Sequence, residues 1–260
     1  VTSQVSVSND YGFSIVKYTM GGSDITVGHG LSTEPKWIIT RRFDNTDSYI
    51  VYHASLGKDK YLFLNGSQTA FTDTADAFTS TSSSVFDARA GLINAGECIA
   101  YCWSEISGFS KFSSYTGNAG AISVTGLGFK PRFLLIRPTA TGSWMMFDSE
   151  RGTSVRLKAQ TTDAEASASI SLTFDSDGFS LNTTDGDFNG SGVTYLYMAF
   201  ADRPGNNWDV NNIVTNAGLT TSKTQFDVVT YTGNGGTQAI GQPVYSDETT
   251  GGNNTSNMFD

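Results

Sequence analysis

His53, Ser55 and Asp59 stand within one short stretch and are the residue types of a nucleophilic triad. Such catalysis needs the base within hydrogen-bond reach of the nucleophile and a third group to orient the base. Asp148, Glu150 and Asp163 are the types that serve a glycosidase, whose two acids face each other about 5–10 Å apart across a sugar. Asp175-Ser176-Asp177-Gly178 and Asp185-Gly186-Asp187 carry fragments of calcium-loop spacing. Neither has the full run of oxygen ligands closed by a Glu, and Asp-Gly pairs in strand-rich chains serve hairpin turns. The Gly-rich turns lack the Gly-Lys-Ser/Thr ending that sets a lysine on a phosphate.

These residues hang on a framework that the chain writes twice. Pro35-Lys36-Trp37-Ile38-Ile39-Thr40-Arg41 returns without a gap as Pro131-Arg132-Phe133-Leu134-Leu135-Ile136-Arg137. Each run follows a Gly-rich turn, Gly28-His29-Gly30-Leu31 and then Gly126-Leu127-Gly128-Phe129. Upstream, Ile15–Thr19 corresponds to Phe112–Thr116; downstream, Tyr49–Tyr52 corresponds to Trp144–Phe147 and Cys98–Trp103 to Tyr195–Phe200. A third opening, Phe226–Thr232, reproduces Phe13–Thr19, but Gln242-Pro243-Val244-Tyr245 departs from the pattern where the next strand should follow.

Repetition separates framework from chemistry. Apolar strands, prolines and turn glycines recur, whereas the positions of His53 and Ser55 hold Asp148 and Glu150 in the second copy. No catalytic residue, cofactor or metal site is therefore expected. His29 reads as a turn residue. Cys98 and Cys102 would lie ~13 Å apart along a strand, beyond the ~7 Å that a disulfide spans, and read as buried free thiols. Trp37, Trp103 and Trp144 occupy matched strand positions and read as core. Trp208 stands alone in a polar connector with no counterpart, and is the one residue expected to contact a ligand or a neighbouring chain.

The 260 residues include 28 Gly, 17 Phe and 11 Tyr, with only 16% charged. That composition fits many short strands joined by tight turns. A net charge of −9 disfavours nucleic acid, because phosphate binding needs clustered Lys and Arg; the longest basic cluster is Arg41-Arg42. No apolar run approaches the ~18 residues of a membrane span. The polar opening Val1-Thr2-Ser3-Gln4 does not read as a secretion signal, and the chain is expected to be a segment of something longer.

The apolar runs Trp37–Thr40 and Phe133–Ile136, bounded by Pro and Arg, predict strands covered on both faces. Pro35 and Pro131 sit at strand starts, where a missing donor is tolerated. Six or more strands per ~100 residues predict tandem β-sandwich modules, with a small β-barrel as the alternative. Residues 1–10 read as the end of a preceding unit, 11–107 as module one and 108–204 as module two. A connector at 205–225 and a truncated third opening with linker at 226–260 complete the division. Modules of this size are expected to be independent, each burying its own core.

Gly12–Thr19, Val27-Gly28-His29-Gly30-Leu31, Val51–Gly57, Ile99–Glu105, Gly108–Phe112 and Tyr115-Thr116-Gly117-Asn118 occur in that order. Together they resemble an uncharacterised module of structural proteins from marine tailed bacteriophages, including tail fibres. The resemblance covers about residues 11–205 and brings no catalytic residues. It implies a non-enzymatic virion structural protein, assembled in the host cytoplasm into a fibre or surface appendage. Its implied partners are further copies of the chain and other virion proteins, with neither nucleic acid nor membrane. A carbohydrate-binding module for a host surface glycan is the alternative.

Overall fold

A computed structural model describes residues 1–73, 78, 81–167 and 170–202. All of them fall in the first of the two units into which the chain divides, Val1–Val228. Trp208, the connector and the third repeat opening lie outside the described residues.

The described chain is all-β; Ala54–Leu56 makes its one short 3-10 turn. The first copy contains β1 (Gln4–Ser8), β2 (Phe13–Met20), β3 (Ile25–Gly28), β4 (Trp37–Arg42), β5 (Ile50–His53), β6 (Lys60–Phe63), β7 (Phe71–Thr72), β8 (Val85–Ala88) and β9 (Gly96–Trp103). The second contains β10 (Ser110–Thr116), β11 (Ala121–Thr125), β12 (Phe133–Pro138), β13 (Met145–Asp148), β14 (Val155–Lys158), β15 (Ala166–Ser167), β16 (Ser171–Asp175), β17 (Gly178–Asn182) and β18 (Thr194–Phe200).

The topology is duplicated along with the sequence. The first large sheet runs β1-β2-β9-β4-β5-β6-β7 and the second β10-β18-β12-β13-β14-β15, so only β1 lacks a counterpart. A smaller sheet accompanies each: β3-β8 in the first copy and β11-β17-β16 in the second. The pairing Phe174↔Phe179 of the second copy survives in the first as a single bridge, Thr81↔Phe86. Loop hydrogen bonds repeat too. Lys36 N–H donates to the Trp103 carbonyl and Arg132 N–H to the Phe200 carbonyl, both at 2.7 Å.

Strand alternation gives each large sheet two apolar faces. On the first sheet, Val16, Tyr18, Met20, Ile38 and Ala100 pack with Val27 and Phe86 of the small β3-β8 sheet. On the opposite face, Trp37, Ile39, Val51 and Leu62 join a core that also holds Phe112, Leu135, Trp144 and Met198 of the second copy. Trp37 meets Trp144 at 5.9 Å and Phe112 at 6.2 Å between ring centroids. The indole N–H of Trp144 donates to the Phe63 carbonyl at 2.9 Å.

The two copies are thus not independent modules. Each small sheet covers one face of its large sheet, and the other face remains apolar until the second copy closes over it. Each buried aromatic in that shared layer stabilises by roughly 1.5–3 kcal/mol relative to exposure, which favours one joint core over two separate ones. Residues 1–10 also join this body, since β1 pairs antiparallel with β2 over Gln4↔Lys17 to Ser8↔Phe13.

Candidate functional site

His53 ends β5 with its side chain fully buried. Its Nδ1 accepts the Ser55 N–H at 2.9 Å, capping the 3-10 turn, and Nε2 faces the Tyr197 backbone without a well-formed hydrogen bond. The ring packs edge-on against Trp37 at 4.9 Å. Burial pushes its pKa down to about 4, an effect partly offset by the Tyr197 backbone. Ser55 is exposed, so the imidazole faces the core while the serine faces water. The geometry brings no nucleophile to the base. In the second copy Asp148 caps the equivalent turn. It is fully buried, and its Oδ1 accepts the N–H groups of Glu150 at 3.0 Å and Arg151 at 2.8 Å. Two chemically different acceptors thus fill one structural role.

The other reactive-looking side chains are likewise engaged by the framework. Asp148 pairs with Arg151, Glu150 with Arg132 at 2.7 Å and Asp163 with Lys158 at 2.9 Å, so the three carboxylates are held by three different cations. His29 is buried: Nδ1 accepts the Leu31 N–H at 3.1 Å, so Nε2 carries the proton and donates to the Ser82 carbonyl at 3.1 Å. Burial lowers its pKa. Asp177 clasps the turn before β12, accepting N–H groups from Gly126 at 3.0 Å and Gly128 at 2.7 Å. Both glycines have φ near +80° (82° and 79°), a region that side chains with a Cβ disfavour. Asp185 accepts the Asp187 N–H and Asp187 the Ser143 N–H, both at 2.9 Å. Among the described residues no group of three or more His, Cys, Asp or Glu is placed to hold a metal ion.

Cys98 and Cys102 are free, buried and on one face of β9. Burial raises both thiols, Cys102 to about 12. Trp37 and Trp144 are fully buried and Trp103 half-buried. Trp208, the expected contact residue, lies outside the described residues.

The arginine closing each repeated Pro-to-Arg run has a structural role that the motif itself did not disclose. Arg41 donates to the carbonyls of Arg42 at 2.9 Å and Asn45 at 2.5 Å, and lies 4.5 Å over the Tyr49 ring. Arg137 does the same with Pro138 at 2.8 Å, Ala140 at 3.0 Å and the Trp144 ring at 5.5 Å. Arg137 also reaches into the first copy, donating to the Gln68 carbonyl at 2.5 Å. Burial brings its pKa down to about 10.

What remains for recognition are surfaces where the copies differ. On the outward half of the first sheet, Ile15 is 37% and Phe43 45% exposed, while Phe13, Ile99, Tyr101 and Trp103 are half-buried. Lys17 lies 5.5 Å over the Phe43 ring, which sets both on this face. At the far edge, Tyr61 and Phe71 stack at 5.3 Å with Phe63 edge-on to both. The second copy has Arg156, Ala166 and Lys158 at those places. A shallow depression of about 280 Å³ over β11, β16 and β17 is lined mostly by Ser123, Ser171, Thr173, Ser180 and Asn182. Sequence reasoning missed the first two surfaces, although comparing Tyr61 with Arg156 in the aligned copies was a signal within reach.

Among the described residues no helix is long and apolar enough to cross a membrane. No curated protein and no solved structure matches the chain. Residues 1–204, both copies together, match the model of a single family described as a domain of unknown function.

Proposed function

The chain belongs to the DUF7483 family, and we propose that it is a non-enzymatic structural protein of a tailed-phage virion. It forms part of a fibre or surface appendage and assembles as a homo-oligomer with other virion proteins. The observation that carries this reading is the employment of its reactive-looking side chains. His53, Asp148 and Asp177 cap or clasp turns, and Glu150 and Asp163 pair with cations. The duplicated sheet is a framework whose working surface is its exterior, in keeping with the order of motifs that resembles phage structural proteins. Antibody labelling of intact particles, followed by electron microscopy, tests it. Label along an external appendage is expected, and particles that carry none of the protein would refute the reading.

A second reading, recognition of a host surface glycan, is favoured by the aromatic edge at Tyr61 and Phe71, since exposed rings stack on sugar faces. Phe71 is 36% exposed, so Phe71→Ala should fold and lose glycan-array signal. An array with no hits for the wild-type chain would remove this reading and leave the structural one standing.

A further inference from the structure

Among the described residues the two copies meet out of step, and the offset leaves a matched pair of apolar surfaces that no described residue fills. In the first copy, the β4-β5-β6 half of the shared face is closed: Trp37 and Val51 are 0% exposed and Leu62 1%. Of their counterparts in the second copy, Phe133, Met146 and Leu157 are each only half-buried, while Leu135, between them on the same face, is 6% exposed. The opposite half shows the reverse. In the second copy Phe112, Leu196, Met198 and Phe200 on β10 and β18 are 0–6% exposed. Their counterparts on β2 and β9 of the first copy, Ile15, Ile99, Tyr101 and Trp103, are open or half-buried. The first copy therefore offers its β4-β5-β6 half to the β10-β18 half of the second, with Arg137 at the end of β12 and Trp144 before β13 also reaching it. Such an interface is heterologous, and a heterologous interface leaves both unused halves free to repeat it.

We propose that the open β2-β9 face of the first copy receives the open β12-β13-β14 face of the second copy in another molecule of this chain, joining molecules head to tail. This names the contact surfaces of the homo-oligomer proposed above and rests on that reading. The occupant follows from the internal interface. The open β2-β9 face holds apolar residues at the positions where Phe112, Leu196, Met198 and Phe200 are buried against the first copy's Trp37 half. It is also continuous with that interface through Trp103 and Tyr101, both packed against the shared core. Equivalent surfaces bury against equivalent surfaces. Head-to-tail contact extends into a filament unless its rotation closes a ring, which suits a fibre.

Sedimentation velocity and light scattering across a concentration series of the full chain test this. Ile15→Glu disables one surface and Leu157→Glu the other. Each variant alone should dissociate at least about tenfold more readily than wild type, a loss typical of removing one central apolar contact. An equimolar mixture of the two should form dimers and stop there, because each partner retains one intact surface. Thermal melts must match wild type within a few degrees; Phe43→Ser, at a 45% exposed position, replaces Ile15→Glu if that variant unfolds. Assembly by Ile15→Glu as strong as wild type would overturn the surface assignment while leaving the homo-oligomer in place. A mixture that stays monomeric would overturn the head-to-tail geometry. A wild-type chain that is monomeric throughout would overturn both.

Discussion

Replacing His53 with Asn isolates a buried proton site from the cap that the same residue provides. Asn retains an acceptor for the Ser55 N–H, as Asp148 does for the equivalent turn, but it cannot titrate. In the folded chain burial lowers the imidazole pKa from 6.5 to about 4. The unfolded chain therefore binds a proton that the folded chain refuses between those values. Stability from this group is full above pH 6.5 and is lost as pH falls toward 4. Linkage over that interval amounts to about 3 kcal/mol by pH 4. At pH 7 the variant should be less stable by roughly 1–3 kcal/mol, because the shorter side chain abandons the Trp37 edge contact and leaves a void. At pH 4 that deficit should vanish or reverse. Urea denaturation of both proteins at half-unit pH steps provides the assay. His29 and the paired carboxylates Glu34, Asp44, Glu97 and Asp163 also have lowered pKa values, but they are common to both proteins and cancel in the difference. A wild-type minus variant difference that stays flat from pH 7 to pH 4 would refute the buried neutral imidazole.

Trp37→Ala removes a central side chain of the layer between the two copies and should cost about 3–5 kcal/mol, with both copies losing near-UV circular dichroism in one transition. Separate transitions for the two copies would contradict a shared core. Gly178→Ala should destabilise more than Gly152→Ala: φ is 149° at the first and 87° at the second, but only at Gly178 would the new Cβ collide with backbone, the Val124 carbonyl oxygen. Denaturant midpoints for the two variants compare them directly. Cys98 and Cys102 should resist a thiol reagent in the folded chain at pH 8 and react fully in denaturant, since burial holds Cys102 near 12; rapid labelling without denaturant would refute their burial.

Residue order alone determined the all-β class, the duplicated framework and the central strands. Those follow from local signals: motifs that recur in order, apolar runs at Trp37–Thr40 and Phe133–Ile136, and glycines at the turns. It also determined that Cys98 and Cys102 could not bridge, because strand rise alone separates them. The sharing of one core by the two copies emerges only from packing, because Trp37 looks the same in sequence whether its outer face meets water, its own small sheet or the other copy. The capping roles of His53 and Asp148 were hidden for the same reason. An imidazole and a carboxylate share no chemical label, and their equivalence as acceptors exists only where a buried strand end meets the N–H groups of the next turn. The offset between copies, with Ile15 open where Phe112 is closed, depends on which halves of two similar faces come together, and no run of residues encodes that locally.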